Sequence, residues 1–223
     1  MEIKTWFKKD WPKELKEIPQ PPKKLRIRGP VPSNDLIRLC VVGPRKHSNY
    51  AENVCRRLIS GLEGYPISIV SGLAYGIDSL AHRVALKHNI HCIAIPGSGL
   101  GDDVIYPEIH IPLAKKIIES GGCCCSEYKD DFKTTKWAFP RRNRIMAGLS
   151  QATLIIEADE KSGTMITARL TLDYNREVLT VPGSIFNPSA TASNRMIKEG
   201  ANVVRNSEDI LEVLGIEKKV ITK

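Results

Sequence analysis

From Leu36 onward the chain repeats one pattern: a short apolar run ending in a small or polar residue, then an amphipathic segment. The runs are Leu39-Cys40-Val41-Val42, Ile67-Ser68-Ile69-Val70, His91-Cys92-Ile93-Ala94-Ile95, Cys123-Cys124-Cys125-Ser126, Thr153-Leu154-Ile155-Ile156, Glu177-Val178-Leu179-Thr180-Val181 and Ala201-Asn202-Val203-Val204. Runs this apolar have no wet face, so a sheet built from them needs helices on both sides. The segments between them supply those helices. One carries Tyr50, Val54, Leu58 and Leu62, the next Ile77, Leu80, Ala81, Val84 and Ala85, and a later one Ile166, Leu170 and Tyr174. The pattern predicts an α/β domain over residues 36–223: a doubly wound, mostly parallel sheet with helices on both faces. Ligands in such folds bind outside the carboxyl ends of the strands.

Residues 1–35 read differently. Pro12, Pro19, Pro21, Pro22, Pro30 and Pro32 alternate with Lys8, Lys9, Lys13, Lys16, Lys23, Lys24, Arg26 and Arg28. This composition predicts a basic, proline-rich arm outside the core. The whole chain of 223 residues carries a formal charge of +8, which favours a polyanionic partner. Lys218-Lys219 read as solubilising charge. No apolar run approaches the roughly 18 residues of a membrane span, and no signal peptide follows Met1, so a cytoplasmic protein is expected. The six cysteines include no C-x-x-C pair. Neighbours in the triplet Cys123–Cys125 point to opposite faces of a strand, which argues for buried free thiols and against a metal site or disulfide framework.

Each strand ends in a cluster suited to anion binding. Gly43-Pro44-Arg45-Lys46 follows the first, Ser71-Gly72-Leu73-Ala74-Tyr75-Gly76 the second, Pro96-Gly97-Ser98-Gly99 the third, and Asp159 with Ser162-Gly163-Thr164 the fifth. One such loop is ordinary in a tight strand-to-helix turn. Several on one edge predict a phosphate-binding groove, because glycine admits close backbone approach and a helix N-terminus supplies donors. The segment Trp137-Ala138-Phe139-Pro140-Arg141-Arg142-Asn143-Arg144 adds aromatic rings and three guanidinium groups at a helix start. Its bland reading is a solvated helix end over a buried core.

Enzyme motifs are thin. Gly97-Ser98-Gly99-Leu100-Gly101 misses the G-x-G-x-x-G spacing and follows the wrong strand, which excludes a nicotinamide or flavin cofactor. No P-loop is present, and His82, His88 and His110 assemble into no Ser/His/Asp arrangement.

In order along the chain stand Gly43-x-Arg45, Ser71-Gly72-Leu73-Ala74-x-Gly76-Ile77-Asp78-x-x-Ala81-His82, Tyr106-Pro107, Ser126-Glu127-Tyr128, Phe139-Pro140-x-Arg142-Asn143-Arg144-Ile145-x-Ala147-Gly148-Leu149-Ser150, Ser162-Gly163-Thr164, Val181-Pro182-Gly183 and Gly200-Ala201. This series resembles the DNA-processing protein A (DprA/Smf) family over residues 36–214, and Trp11-Pro12 with Pro21-Pro22 is similar to its lead-in. The resemblance implies an extended Rossmann-like domain without a cofactor or catalytic activity. It implies binding of single-stranded DNA, protection of incoming strands, loading of a RecA-type recombinase during transformation and recombination, and a homodimer. It implies a strand-binding site at Arg45, Gly97, Ser98, Gly99, Lys136, Phe139, Arg142, Asn143 and Arg144. The chain departs from the family pattern at Ala51, at the lengthened loop around Gly101-Asp102 and at Ala192-Ser193-Asn194, and its length is expected to leave no room for a winged-helix domain. Two other readings compete: a nucleoside-phosphate hydrolase, whose Pro-Gly-Gly loop with a following glutamate is replaced here by Pro-Gly-Ser at 96–98 and 182–184, and a nucleotide-sensing module.

Overall fold

A computed structural model describes residues 1–217; Lys218-Lys219 lie outside the described residues. All seven apolar runs form strands: β3 (Ile37–Val42), β4 (Ile67–Ser71), β5 (His91–Ala94), β6 (Cys123–Ser126), β7 (Ala152–Ile155), β8 (Glu177–Thr180) and β9 (Asn202–Val203). They pair in parallel, in the order β6-β5-β4-β3-β7-β8-β9. The chain therefore winds outward from β3 in one direction, returns, and winds outward from β7 in the other. The junction of β3 and β7 is the topological switch point, where diverging loops leave a crevice.

Two cores flank the sheet. One holds α2 (Asn49–Ser60), α3 (Ile77–Lys87), α4 (Ile111–Glu119) and α8 (Ser207–Val213). The other holds α1 (Lys13–Glu17), α5 (Ala138–Leu149), α6 (Gly163–Asp173) and α7 (Thr191–Lys198). The cysteine triplet shows how a strand serves both: Cys123 and Cys125 join the second core and Cys124 the first. Burial drives the Cys124 thiol upward, as it drives Cys40 and Cys55 up to about 12, and Cys123 is raised by its contact with the Cys125 sulfur and by burial.

The expectation that the N-terminal residues stay outside the core is corrected. Strands β1 (Ile3–Trp6) and β2 (Leu25–Arg28) add to the sheet beyond β6, both antiparallel, with Trp6 opposite Leu25 and Ile27 opposite Cys125. Trp6, Trp11, Leu15, Ile18, Leu25 and Ile27 are buried, and the Trp11 indole donates to the Trp6 carbonyl at 2.9 Å. The lysines occupy exposed positions between these anchors, whereas Pro12 and Pro22 are buried with them. Gly148 lets α5 come down on this segment, since a Cβ there would press on Ile18.

A second correction concerns α6. The sequence points to Ile166, Leu170 and Tyr174 as its packing face, but Thr164, Met165, Thr167, Ala168 and Thr171 are the buried set and Ile166 is exposed. Threonines are tolerated inside because Thr171 is bonded to the Thr153 hydroxyl at 2.7 Å and donates to the Thr167 carbonyl.

Candidate functional site

A cavity of about 420 Å³ opens at the switch point. Its walls come from the loop after β3 (Gly43 to Lys46), the loop after β4 (Ala74, Tyr75), the first turn of α3 (Asp78), the start of α5 (Phe139, Arg142, Asn143, Met146), Asp159 after β7, and the start of α6 (Ser162, Gly163, Thr164, Thr167). The β3 loop can turn this tightly because Gly76, at φ +75°, leaves room for the Pro44 and Arg45 carbonyls, which a Cβ would overlap.

The floor is Arg142. It is 4% exposed, donates to the Ile95 carbonyl, and lies across Gly72, where any Cβ would collide with the guanidinium. Burial lowers its pKa and the nearby Asp78 carboxylate raises it back. Asp78 is the mirror case: burial pushes its pKa up and the Arg142 charge pulls it down. The Arg142 Nε has no hydrogen-bond partner among the described residues. That nitrogen is itself buried, but Arg142 lines the cavity, so its positive charge favours an anion bound there.

Arg45 stands above it at the rim. It is exposed, has no ion pair among the described residues, and places its guanidinium carbon 5.0 Å from the centroid of the Phe139 ring. Phe139 tilts against Tyr106 with centroids 5.9 Å apart. Across the cavity, α6 follows Ser162 without a side-chain cap, and the Ser162 hydroxyl is buried with no hydrogen-bond partner among the described residues. Gly163 and Thr164 of the first turn of α6 therefore line the same space as two guanidinium groups, while the Met165 N–H donates to the Ser162 carbonyl at 3.1 Å.

The structure brings Arg45, Phe139, Arg142 and Asn143 together, with Gly97 packed against Phe139, and places Ser98, Gly99, Lys136 and Arg144 outside the cavity lining. Gly97 lies beneath the Phe139 ring, where a Cβ would strike it. Ser98 is fully buried, bonded to the Gly99 carbonyl and the Tyr106 N–H, and Gly99 is closed over by the Lys129 and Asp130 backbone. That loop is zipped shut by Gly99 N–H to the Phe132 carbonyl (2.8 Å) and Gly101 N–H to the Asp130 carbonyl (2.9 Å), and the lengthened part is tied to β2 by an Arg28–Asp102 ion pair at 2.6 Å. Lys136 is exposed and lies outside the cavity lining. Arg144 turns to the far side of α5, donating to the Gln20 carbonyl at 2.9 Å and to the Glu127 carboxylate. The three guanidinium groups of the segment therefore do not converge. Successive helical residues are about 100° apart, so Arg141 and Arg144 share one face and Arg142 has another.

Lys46, Tyr75 and the Ser162–Thr164 turn also line the cavity, although only their place after strand ends marks them in the sequence. Among the described residues no helix is long and apolar enough to cross a membrane.

The family described as DNA recombination-mediator protein A matches residues 2–215. Over 204 residues the chain is 40% identical to Protein Smf of Escherichia coli (strain K12), a match covering 92% of this chain and 54% of that protein. The chain thus spans about half the length of that relative. DNA processing protein A from Streptococcus pneumoniae superposes with a TM-score of 0.86 at 33% identity, over 98% of this chain and 76% of the other. The Helicobacter pylori protein, whose structure is described in terms of its single-stranded DNA binding mode, superposes with a TM-score of 0.82 at 28% identity, over 96% and 95% of the two chains. A match running from the first strand past the last helix leaves one assignment: the chain belongs to the DNA recombination-mediator protein A family.

Proposed function

We propose that the switch-point cavity binds single-stranded DNA without catalysing a reaction on it, and that the protein presents the bound strand to a recombinase of the RecA type, acting as a homodimer in the cytoplasm. The observation that carries this reading is the stack of Arg45 over Phe139 at 5.0 Å, directly above a buried Arg142. A cation and a ring side by side suit a nucleotide, whose phosphate meets the charge while its base meets the ring. A duplex offers no free base face, and its width does not suit a cavity of about 420 Å³.

In this reading Arg45 and Lys46 receive the phosphate at the rim. Arg142 and the start of α6 fix a second anionic oxygen below, and Phe139 takes the base. Asn143 supplies a neutral donor and acceptor on the same wall. Nothing in the arrangement reads base edges in a set pattern, so binding tolerates any sequence.

The test is a titration of labelled oligo-dT against a duplex of equal length at physiological salt, with an assay for AMP hydrolysis alongside. The expected result is tighter binding of the single strand and no hydrolysis. Equal affinity for both forms overturns the binding reading, and turnover of AMP transfers the cavity to the hydrolase class.

A further inference from the structure

A space larger than the switch-point cavity lies on the other side of α5. It is a groove of about 960 Å³ between the chain segment at 19–24 and the outer surfaces of α5 and α6. We infer that this groove holds a second stretch of the same polynucleotide strand, continuing from the switch-point cavity; the inference rests on the function proposed above.

Three observations carry it. The first is charge. Lys23 and Lys24 line the groove, are exposed, and have no ion pair among the described residues. Arg141 and Arg144 line it from α5, against one internal carboxylate, Glu127, whose side chain is 6% exposed and whose Oε2 meets both arginines. With Glu127 engaged there, Asp173 is the remaining carboxylate of a lining that also holds Lys23 and Lys24. The second is surface type. The apolar residues on this wall are those of α6 that the fold leaves out of its core, Ile166 and Leu170, beside the half-buried ring of Tyr174. Apolar and aromatic surface between cations suits unpaired bases next to phosphates.

The third is continuity. Phe139 belongs to the cavity, whereas Pro140 and Arg141 belong to the groove, so the first turn of α5 is the ridge between them. At the cap of that turn Trp137 is 52% exposed, with the Arg141 guanidinium carbon 6.0 Å from its ring centroid. The rim of the cavity repeats on its outer side the pairing of arginine and aromatic ring found inside. A strand leaving Phe139 over this ridge meets a cation and a ring before it reaches the lysines.

The experiment compares oligo-dT of about 5 and about 20 nucleotides, lengths that bracket one compact site, on the full chain as wild type, as the double variant Lys23→Ala/Lys24→Ala, and as Asp173→Lys. The expected result is that the double variant binds the short oligonucleotide like wild type and the long one about tenfold more weakly. Its salt slope for the long one falls by about 1.4, two phosphates at roughly 0.7 each. Asp173→Lys tightens the long oligonucleotide several-fold and leaves the short one alone; as a gain, it does not depend on a variant failing to fold. Equal loss on both lengths, or no loss on either, overturns the groove and leaves the cavity standing. A change in sedimentation mass with unaltered DNA binding assigns the groove to a second copy of the chain and also overturns it. Wild-type protein that binds neither length removes the proposed function itself.

Discussion

The two faces of α5 carry the same residue type to opposite ends. Arg142 goes inward, over a glycine, to a carbonyl and the neighbourhood of a buried carboxylate, and keeps one donor unused. Arg141 and Arg144 go outward and share the Glu127 carboxylate. A guanidinium already answered by a carboxylate at bonding distance helps hold the fold. One held in place by the backbone, with its charge left facing an open cavity, is poised for an anion from outside. The difference teaches that an arginine-rich segment is not one site: helical periodicity divides it before chemistry does.

The sharpest way to break this contrast is to remove the inward arginine. Arg142→Ala leaves Asp78 buried beside no cation and the Ile95 carbonyl without its donor, and is expected to cost about 3–5 kcal/mol in chemical denaturation. Replacing Asp78 by Asn in the same protein should return part of that loss. Arg144→Ala, which leaves Glu127 its contact with Arg141, should cost about 1–3 kcal/mol. Equal losses for the two single variants would mean that Arg142 is no more desolvated than its outward neighbours.

The dryness of the floor has a second reporter in His82. It is fully buried on α3, and burial holds its pKa down to about 4, against the neighbouring Ser71 backbone, which raises it, and with the His110 and Arg142 charges adding to the fall. The unfolded chain takes up its proton near pH 6.5, so unfolding binds more protons than the native state does between that pH and about 4. Stability therefore rises with pH across this window and is lost on acidification, by about 1.4 kcal/mol for each pH unit. The measurement is the wild-type minus His82→Gln difference in unfolding free energy across the window, which cancels the carboxylates. A flat difference would place water against the imidazole.

How much of this was legible without coordinates follows the same physics. The parallel strands were, because a strand buried on both faces has to be apolar throughout. The cavity wall at Arg45, Phe139 and Arg142 was foreseen through a family resemblance and through the clusters at strand ends. The N-terminal strands were hidden by averaging: Leu25-Arg26-Ile27-Arg28 alternates with period two, but prolines and lysines around it dominate the composition. The closing of Gly99 was invisible because its lid, the Lys129–Asp130 backbone, lies far along the chain. The separation of Arg142 from Arg144 was readable from the 100° step alone once the helix start was known.

Between stacking and charge the cavity itself offers a finer comparison. Phe139→Ala should weaken oligo-dT binding by about 1–3 kcal/mol and leave the salt slope unchanged, since losing a ring changes no counterion release. Arg45→Ala should weaken binding and reduce the slope by about 0.7, the share of one phosphate on a single strand. Lys8→Ala/Lys9→Ala, outside the cavity, should move neither. If the Lys8 and Lys9 variants match Arg45→Ala in both affinity and slope, the charge acts as a diffuse field and the cavity is not the binding site.

The smallest effect sharpens the opening contrast most. Arg141 has a side chain 55% exposed, meets Glu127 at 3.3 Å, and shares that carboxylate with the closer Arg144. Arg141→Ala is therefore expected to change stability by no more than about 1 kcal/mol. Because the pair is open to solvent, even that difference should fade at about 1 M salt, where the Debye length falls to roughly 3 Å. The deficit of Arg142→Ala should survive the same salt, since it is set at short range by the buried Asp78 carboxylate left without its cation and the Ile95 carbonyl left without its donor. Unfolding curves for both variants at low and high salt make the comparison within one experiment. If the Arg142→Ala deficit disappears with salt as well, the inward guanidinium is hydrated, and its charge is screened rather than held ready for a ligand.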